Sequence, residues 1–261
     1  MPLTEEELAL RATCITATDM VAISGESPHG ITEHDIYIAK TCPEARKPPT
    51  LPMRIGEYLE PLVCDLIAEQ FKLTLAPRAE RMTRRHPDHE WAAASPDRLV
   101  ERDATGAFDL TEPLAVVEAK VKSVIFHGRH LWEEDEPPNF VMIQAAWLMW
   151  VTGTDRTYVG ALLGAQPKFW IVERDVELED ALIDRGYDFF QNHVLARKPP
   201  VVDGSAGATR MLKALFPRAT VDMVKASAEV EELAREYFEL KREENELKAR
   251  RDTNTNLLKL A

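Results

Sequence analysis

Apolar and polar positions alternate along this chain with two distinct periods. Ile55, Leu59, Leu62, Val63, Leu66 and Ile67 recur at helical spacing and predict a helix over residues 53–71. Pro61 belongs in a first turn, so the true start is expected near Leu59. From 140 to 151 every side chain except Gln144 is apolar, which predicts a helix buried on all sides and ended by Gly153. Thr4-x-x-Glu7 reads as a capping box opening a short helix, and Thr18 and Thr32 read as N-caps for residues 19–24 and 33–41. A further helix is predicted over 178–195. Strand periodicity is clearest over 114–122, with Val117, Ala119 and Val121 on one face and Val116, Glu118, Lys120 and Lys122 on the other. Short strands are expected near 73–75, 81–84, 91–94 and 98–101, with a hairpin of 158–163 and 168–173 turning at 164–167. This mixture of elements is that of an α/β (α+β) chain.

Pro199-Pro200 marks an exit from the core, so residues 1–203 are expected to form one domain and 204–261 a C-terminal helical extension. Residues 203–221 carry no clear period. Beyond about 222 the chain is charged and helical, and Val230, Leu233, Tyr237, Leu240 and Leu247 fall on alternating three- and four-residue steps interrupted by Glu244. That pattern suits an amphipathic helix that packs or oligomerises.

At 261 residues the chain can bury a sizeable core. It shows no apolar run of about eighteen residues and no signal-peptide pattern, and a cytoplasmic location is the expectation. Cys14, Cys42 and Cys64 are scattered and odd in number, which fits neither a disulfide framework nor a zinc pattern. The net charge of −12 counts against a polyanionic partner. The distribution of that charge matters more than its total. Acidic residues gather at the N-terminus, at 133–136 and in the C-terminal helix, whereas Arg78, Arg81, Arg84, Arg85, Lys120, Lys122, His127, Arg129 and His130 bracket one short region.

That region carries the candidate chemistry. Ser95-Pro96-Asp97-Arg98 is followed about twenty residues later by Val117-Glu118-Ala119-Lys120. Glu118 and Lys120 share a strand face, roughly 6.5–7 Å apart at the usual rise. A carboxylate pair beside an ammonium suits a divalent metal meeting a phosphate, because Mg²⁺ prefers hard oxygen ligands and keeps several waters. Taken alone, E-x-K also fits a solvated strand edge. Glu60 lies at the margin of the apolar stripe of its helix and Glu57 points further out, so both remain candidates. Gln144, a lone amide in an apolar helix, is either a structural staple or a site residue.

Six segments occur in a fixed order: ITATDMVAISGESP, MRIGEYLEPLV, AASPDRLV, VVEAK, PPNFVMIQAAWLMWVTG and IVERD. In these the chain, over most of residues 11–203, resembles the PD-(D/E)XK nucleases and within them the YqaJ and lambda-type phage recombination exonucleases. The resemblance implies a mixed central sheet flanked by helices, in the restriction-endonuclease-like core. It implies Mg²⁺ or Mn²⁺ held by Asp97, Glu118 and the Ala119 carbonyl, with Glu60 completing the site. Lys120 would then position the attacking water, Gln144 would orient water or a ligand, and Ser95 would contact phosphate. Arg11 and Thr18 match positions that contact the DNA end, and an arginine four residues before the Ile15 position holds the 5′-phosphate in the resembling enzymes. The implied activity is 5′→3′ digestion of double-stranded DNA to a 3′ single strand, with a single-strand annealing protein as partner and a trimer ring as assembly. An endonuclease or nickase on the same core, and an inactive DNA-binding or assembly module, are the alternatives.

Overall fold

The computed structural model of the chain describes residues 4–42, 50–77, 83–102, 114–123, 129–132, 134–218 and 225–260. Arg78, Arg81, His127, Glu133 and half of the strand expected at 81–84 lie outside them. Four helices come first: α1 (Glu5–Thr13), α2 (Ala17–Ile23), α3 (Glu33–Thr41) and α4 (Leu51–Phe71). Five strands follow: β1 (Thr74–Leu75), β2 (Arg84–Arg85), β3 (Ala93–Ala94), β4 (Arg98–Arg102) and β5 (Ala115–Lys122). The remaining elements are α5 (Asn139–Thr152), β6 (Arg156–Leu163), β7 (Gln166–Glu173), α6 (Val176–Phe189), α7 (Ala206–Leu215) and α8 (Ala228–Leu260).

The main sheet runs β1-β4-β5-β6-β7, and β2 and β3 pair separately. Within that sheet, among the described residues, β5 and β6 are parallel and the other neighbours antiparallel, so the sheet is mixed as expected. Parallel neighbours require a crossover, and α5 supplies it. The predicted alternation of β5 holds: Val117 packs with Val63, Cys64 and Ile67 of α4, while Val116 packs with Trp147 and Leu148 of α5. Glu118 and Lys120 therefore project on the Val116 side. Below α5, Val141, Ala145 and Met149 meet Val159, Ala161 and Trp170. Gly153, at φ +71°, ends α5 in the left-handed conformation that glycine adopts without strain.

Four local expectations give way. The N-cap of α2 is Thr16, not Thr18, because Asp19 accepts from both the amide (2.8 Å) and the hydroxyl (2.7 Å) of Thr16. This reciprocal cap starts the helix two residues early and leaves Thr18 inside its first turn. α4 begins behind Thr50, with Pro52 in its first turn and Pro61 inside it. Proline's φ is helical, and the hydrogen bond it forfeits is outweighed by the turns either side, of which the later one is anchored by buried Val63, Cys64 and Ile67. The hairpin turn shortens to Gly164-Ala165, since β7 already starts at Gln166. Residues 204–217 belong with the first compact unit, which runs through Pro217 rather than closing at 203. There α7 buries Gly207, Ala208 and Met211, and Arg210 makes a two-pronged contact with Asp35 of α3 at 2.6 Å. The second unit, from Arg218 onward, contains the 33-residue α8.

Candidate active site

The site forms where two strands part. Arg98 is the first residue of β4 to pair with β5, opposite Val117. One residue earlier, the Asp97 amide still donates to the Val117 carbonyl at 3.0 Å. Beyond that point β5 continues to Lys122 with β6 beside it but without β4. The orphaned amide of Ala119 instead donates to Asp97 Oδ2 at 2.7 Å. A strand residue's N–H and C=O leave the same edge, so the Ala119 carbonyl faces the same gap. Asp97 thus replaces a missing ladder partner, and the Pro96-Asp97 break puts a carboxylate there.

The nine residues to which the resemblance gives a role line one cleft of about 260 Å³: Arg11, Thr18, Glu60, Ser95, Asp97, Glu118, Ala119, Lys120 and Gln144. Glu57 lines it too, so the structure brings both α4 glutamates to the cleft, Glu60 half-buried and Glu57 exposed. Asp97 and Glu118 are 9% and 7% exposed, which is unusual for carboxylates unless they have partners. Lys120 Nζ contacts Glu118 Oε1 directly. The thiol of buried Cys64 registers the charge gathered here. Burial pushes it far above the ordinary thiol range, and the carboxylates of Asp97, Glu60 and Glu118 push it further, against Arg98. Gln144, 8% exposed, donates through Nε2 to Thr18 Oγ1 at 3.4 Å, so the displaced α2 cap is what leaves Thr18 available to it.

A hydrogen-bonded chain borders the cleft. Arg11 Nη1 donates to Ser95 Oγ (3.0 Å), Ser95 and Thr83 hydroxyls meet at 2.8 Å, and the Thr83 amide donates to Glu7 Oε1 (3.1 Å). Behind it, buried Lys40 pairs with Asp19 at 2.7 Å and donates to the Arg11 carbonyl. Further along β5, Lys122 Nζ lies 5.4 Å from the Phe140 ring centroid and 5.8 Å from that of Trp132. Burial, then the charge of Lys120, holds the Lys122 ammonium below its ordinary value. His29 is likewise held low, by burial and then by Lys122 and Lys120. The sequence gives no sign that Lys40 and Asp19 stand behind Arg11, because they come from separate helices with no motif of their own. His130 is exposed.

The donor set suits a hard cation: two buried carboxylates, a strand-edge carbonyl and a third carboxylate across the cleft. Among the described residues no three or more His, Cys, Asp or Glu side chains come close enough together to hold a metal ion by themselves.

The chain is 24% identical over 211 residues to "Uncharacterized protein YqaJ" of Bacillus subtilis (strain 168), covering 77% of this chain and 61% of that protein's length. In structure it resembles LHK-Exo, an alkaline exonuclease from Laribacter hongkongensis. The likeness to that protein in complex with dAMP has a TM-score of 0.58 at 19% identity, over 75% of this chain and 94% of the other. A second structure of LHK-Exo gives 0.55 at 18%, over the same shares of the two chains. The fold is accordingly the PD-(D/E)XK-like fold of the alkaline exonucleases. A profile of the YqaJ-like viral recombinase domain matches residues 8–155, which hold most of α1, all of α2 to α5 and every residue named above as lining the cleft, and the chain belongs to that family.

Proposed function

We propose that this protein is a divalent-metal-dependent deoxyribonuclease, an exonuclease that digests linear double-stranded DNA 5′→3′ and leaves 3′ single strands for phage-type recombination. The observation that carries the reading is the convergence of Asp97, Glu118 and Lys120 in one cleft, with Gln144 on one wall and Arg11 and Ser95 on its border. Asp97, Glu118 and the Ala119 carbonyl would hold Mg²⁺ or Mn²⁺, with Glu60 completing or sharing the site. When bound, such an ion neutralises charge on the phosphate and makes water a better nucleophile. Lys120 holds the attacking water against the phosphate, and the Gln144 amide, steadied by Thr18, orients it. Arg11 and Ser95 supply donors for a terminal phosphate. Lys122, two residues along β5 from Lys120, adds a second ammonium nearby, so an acidic chain still presents a locally attractive region.

Family membership and the likeness in fold support exonuclease over endonuclease by analogy, since one fold hosts several cutting modes. The same analogy supports a single-strand annealing protein as partner, a trimer ring around DNA and work in the bacterial cytoplasm. Incubation with blunt linear and closed circular duplexes, in Mg²⁺ or EDTA, tests the proposal. Metal-dependent loss of the linear DNA alone is expected. Cutting of the circle would make the protein an endonuclease or nickase, and absence of any metal-dependent product would make it a binding module.

A further inference from the structure

The helix α8 spans 33 residues, about 50 Å at the usual rise, and buries none of its side chains in its own unit. Its apolar residues nevertheless form a seam. Val230, Leu233, Tyr237, Leu240, Leu247 and Leu258 are 53–79% exposed. They fall on one heptad frame as positions a and d, and Glu244, Arg251 and Asn254 occupy its other places. A seam of this length exposed to water calls for a partner with the same repeat.

Charge selects the partner and its direction. Residues 228–246 carry eight acidic and three basic side chains, net −5, whereas 247–260 carry four basic and one acidic, net +3. The helix dipole favours that polarity only within the first and last turns, so it does not account for an asymmetry over whole halves. A parallel pair in register would set −5 against −5 and stack Glu244 on Glu244 and Arg251 on Arg251. An antiparallel pair sets the acidic half of each helix on the basic half of the other.

We infer that α8 docks antiparallel on α8 of a second copy of this chain. In the register that lays Leu233 against Leu258 of the second copy, Tyr237 faces Asn254, Leu240 faces Arg251 and Glu244 faces Leu247. Each Glu244 then lies one layer from the other copy's Arg251, and the contact is made twice by symmetry. The two charged interruptions of the seam become its cross-links and fix its direction. The pairing is independent of the nuclease reading, because no cleft residue takes part.

Sedimentation equilibrium of the full-length chain tests this through two charge variants on a solvent-exposed helix. Glu244→Arg should halve the assembly mass at micromolar concentration, from two paired trimers to one where the proposed ring forms, and raise the concentration for half-assembly at least about tenfold, which is about 1.4 kcal/mol. The double variant Glu244→Arg/Arg251→Glu restores the opposite pairs and should recover the wild-type mass. A wild-type mass indifferent to both variants, or a monomeric wild-type chain, overturns the pairing. A double variant no better than the single overturns the antiparallel direction, since like charges would then still meet.

Discussion

Asp97 does two things at once, and substitutions separate them. Its carboxylate closes the β5 edge by accepting from Ala119 and is proposed to bind the cation. Asp97→Asn keeps an acceptor for that amide and removes the charge, so it should abolish cleavage with little change in melting temperature. Asp97→Ala should also abolish cleavage and lose about 1 kcal/mol of stability, the usual worth of one hydrogen bond. Activity assays and denaturant melts of the two purified variants check this; more than a few per cent residual activity in Asp97→Asn would remove it from the reaction. Lys120→Ala should be inactive yet still take up Mn²⁺ in calorimetry, because Asp97 and Glu118 remain. Arg11 offers a sharper test of polarity. Its guanidinium, already bonded to Ser95, is planar and suits a bidentate contact with a phosphate. Arg11→Ala should slow digestion of 5′-phosphorylated duplex and spare 5′-hydroxyl ends; equal losses on both would return Arg11 to the scaffold.

Between elements, the docking of α7 onto α3 is the contact most sensitive to a single methyl group. A Cβ built on Gly207 would lie 1.9 Å from Thr32 Oγ1 and 2.9 Å from Thr32 Cβ, and Thr32 caps α3. The Thr32 backbone cannot retreat without breaking that cap, so Gly207→Ala should cost about 1–3 kcal/mol by overpacking. Urea denaturation measures it, and an unchanged midpoint would mean that α7 adapts. Another element contact predicts a pH effect. His86 stacks against Trp150 at 4.4 Å and His89 at 4.6 Å between ring centroids. Burial first, then His89, holds its imidazole below the ordinary value, against the opposing pull of Asp88 and Glu179. The unfolded chain therefore binds the proton more readily. Stability from this group is complete above the ordinary histidine range and falls as pH drops through about 6.5 toward the folded value. Melting temperature should decline between about pH 7.5 and pH 5.5, and His86→Phe should flatten part of the decline.

For the whole molecule, net charge and proposed substrate pull in opposite directions. A chain of net charge −12 repels duplex DNA at long range, and the few cations at the cleft act within about a Debye length. A closed assembly with those cations facing inward would retain DNA by topology rather than affinity. Processive digestion of a long duplex in the presence of competitor DNA is then expected only from an oligomer. A monodisperse monomer in light scattering that still digests processively would remove the ring. No helix among the described residues is long and apolar enough to cross a membrane.

The sequence by itself determined the alternation of β5, the all-round burial of α5 and the residues of the cleft. Periods of two and 3.6 are local, and the PD…E-x-K spacing specifies which side chains are chemically able to act. It also carried the heptad frame of α8. Tertiary structure decided the rest. Nothing in one segment says that β4 starts at Arg98 and so leaves Ala119 to Asp97, because an unpaired strand edge exists only once its neighbour is placed. The cap of α2 and the course of α4 through Pro61 were settled where a reciprocal hydrogen bond or buried anchors outweighed local preference. α7 showed no period before 204–217 met α3, since ten residues bury only Gly207, Ala208 and Met211. Lys40 and Asp19 come to stand behind Arg11 through contacts between segments far apart in the chain. Local pattern fixes which face an element shows, and only packing fixes what it is shown to.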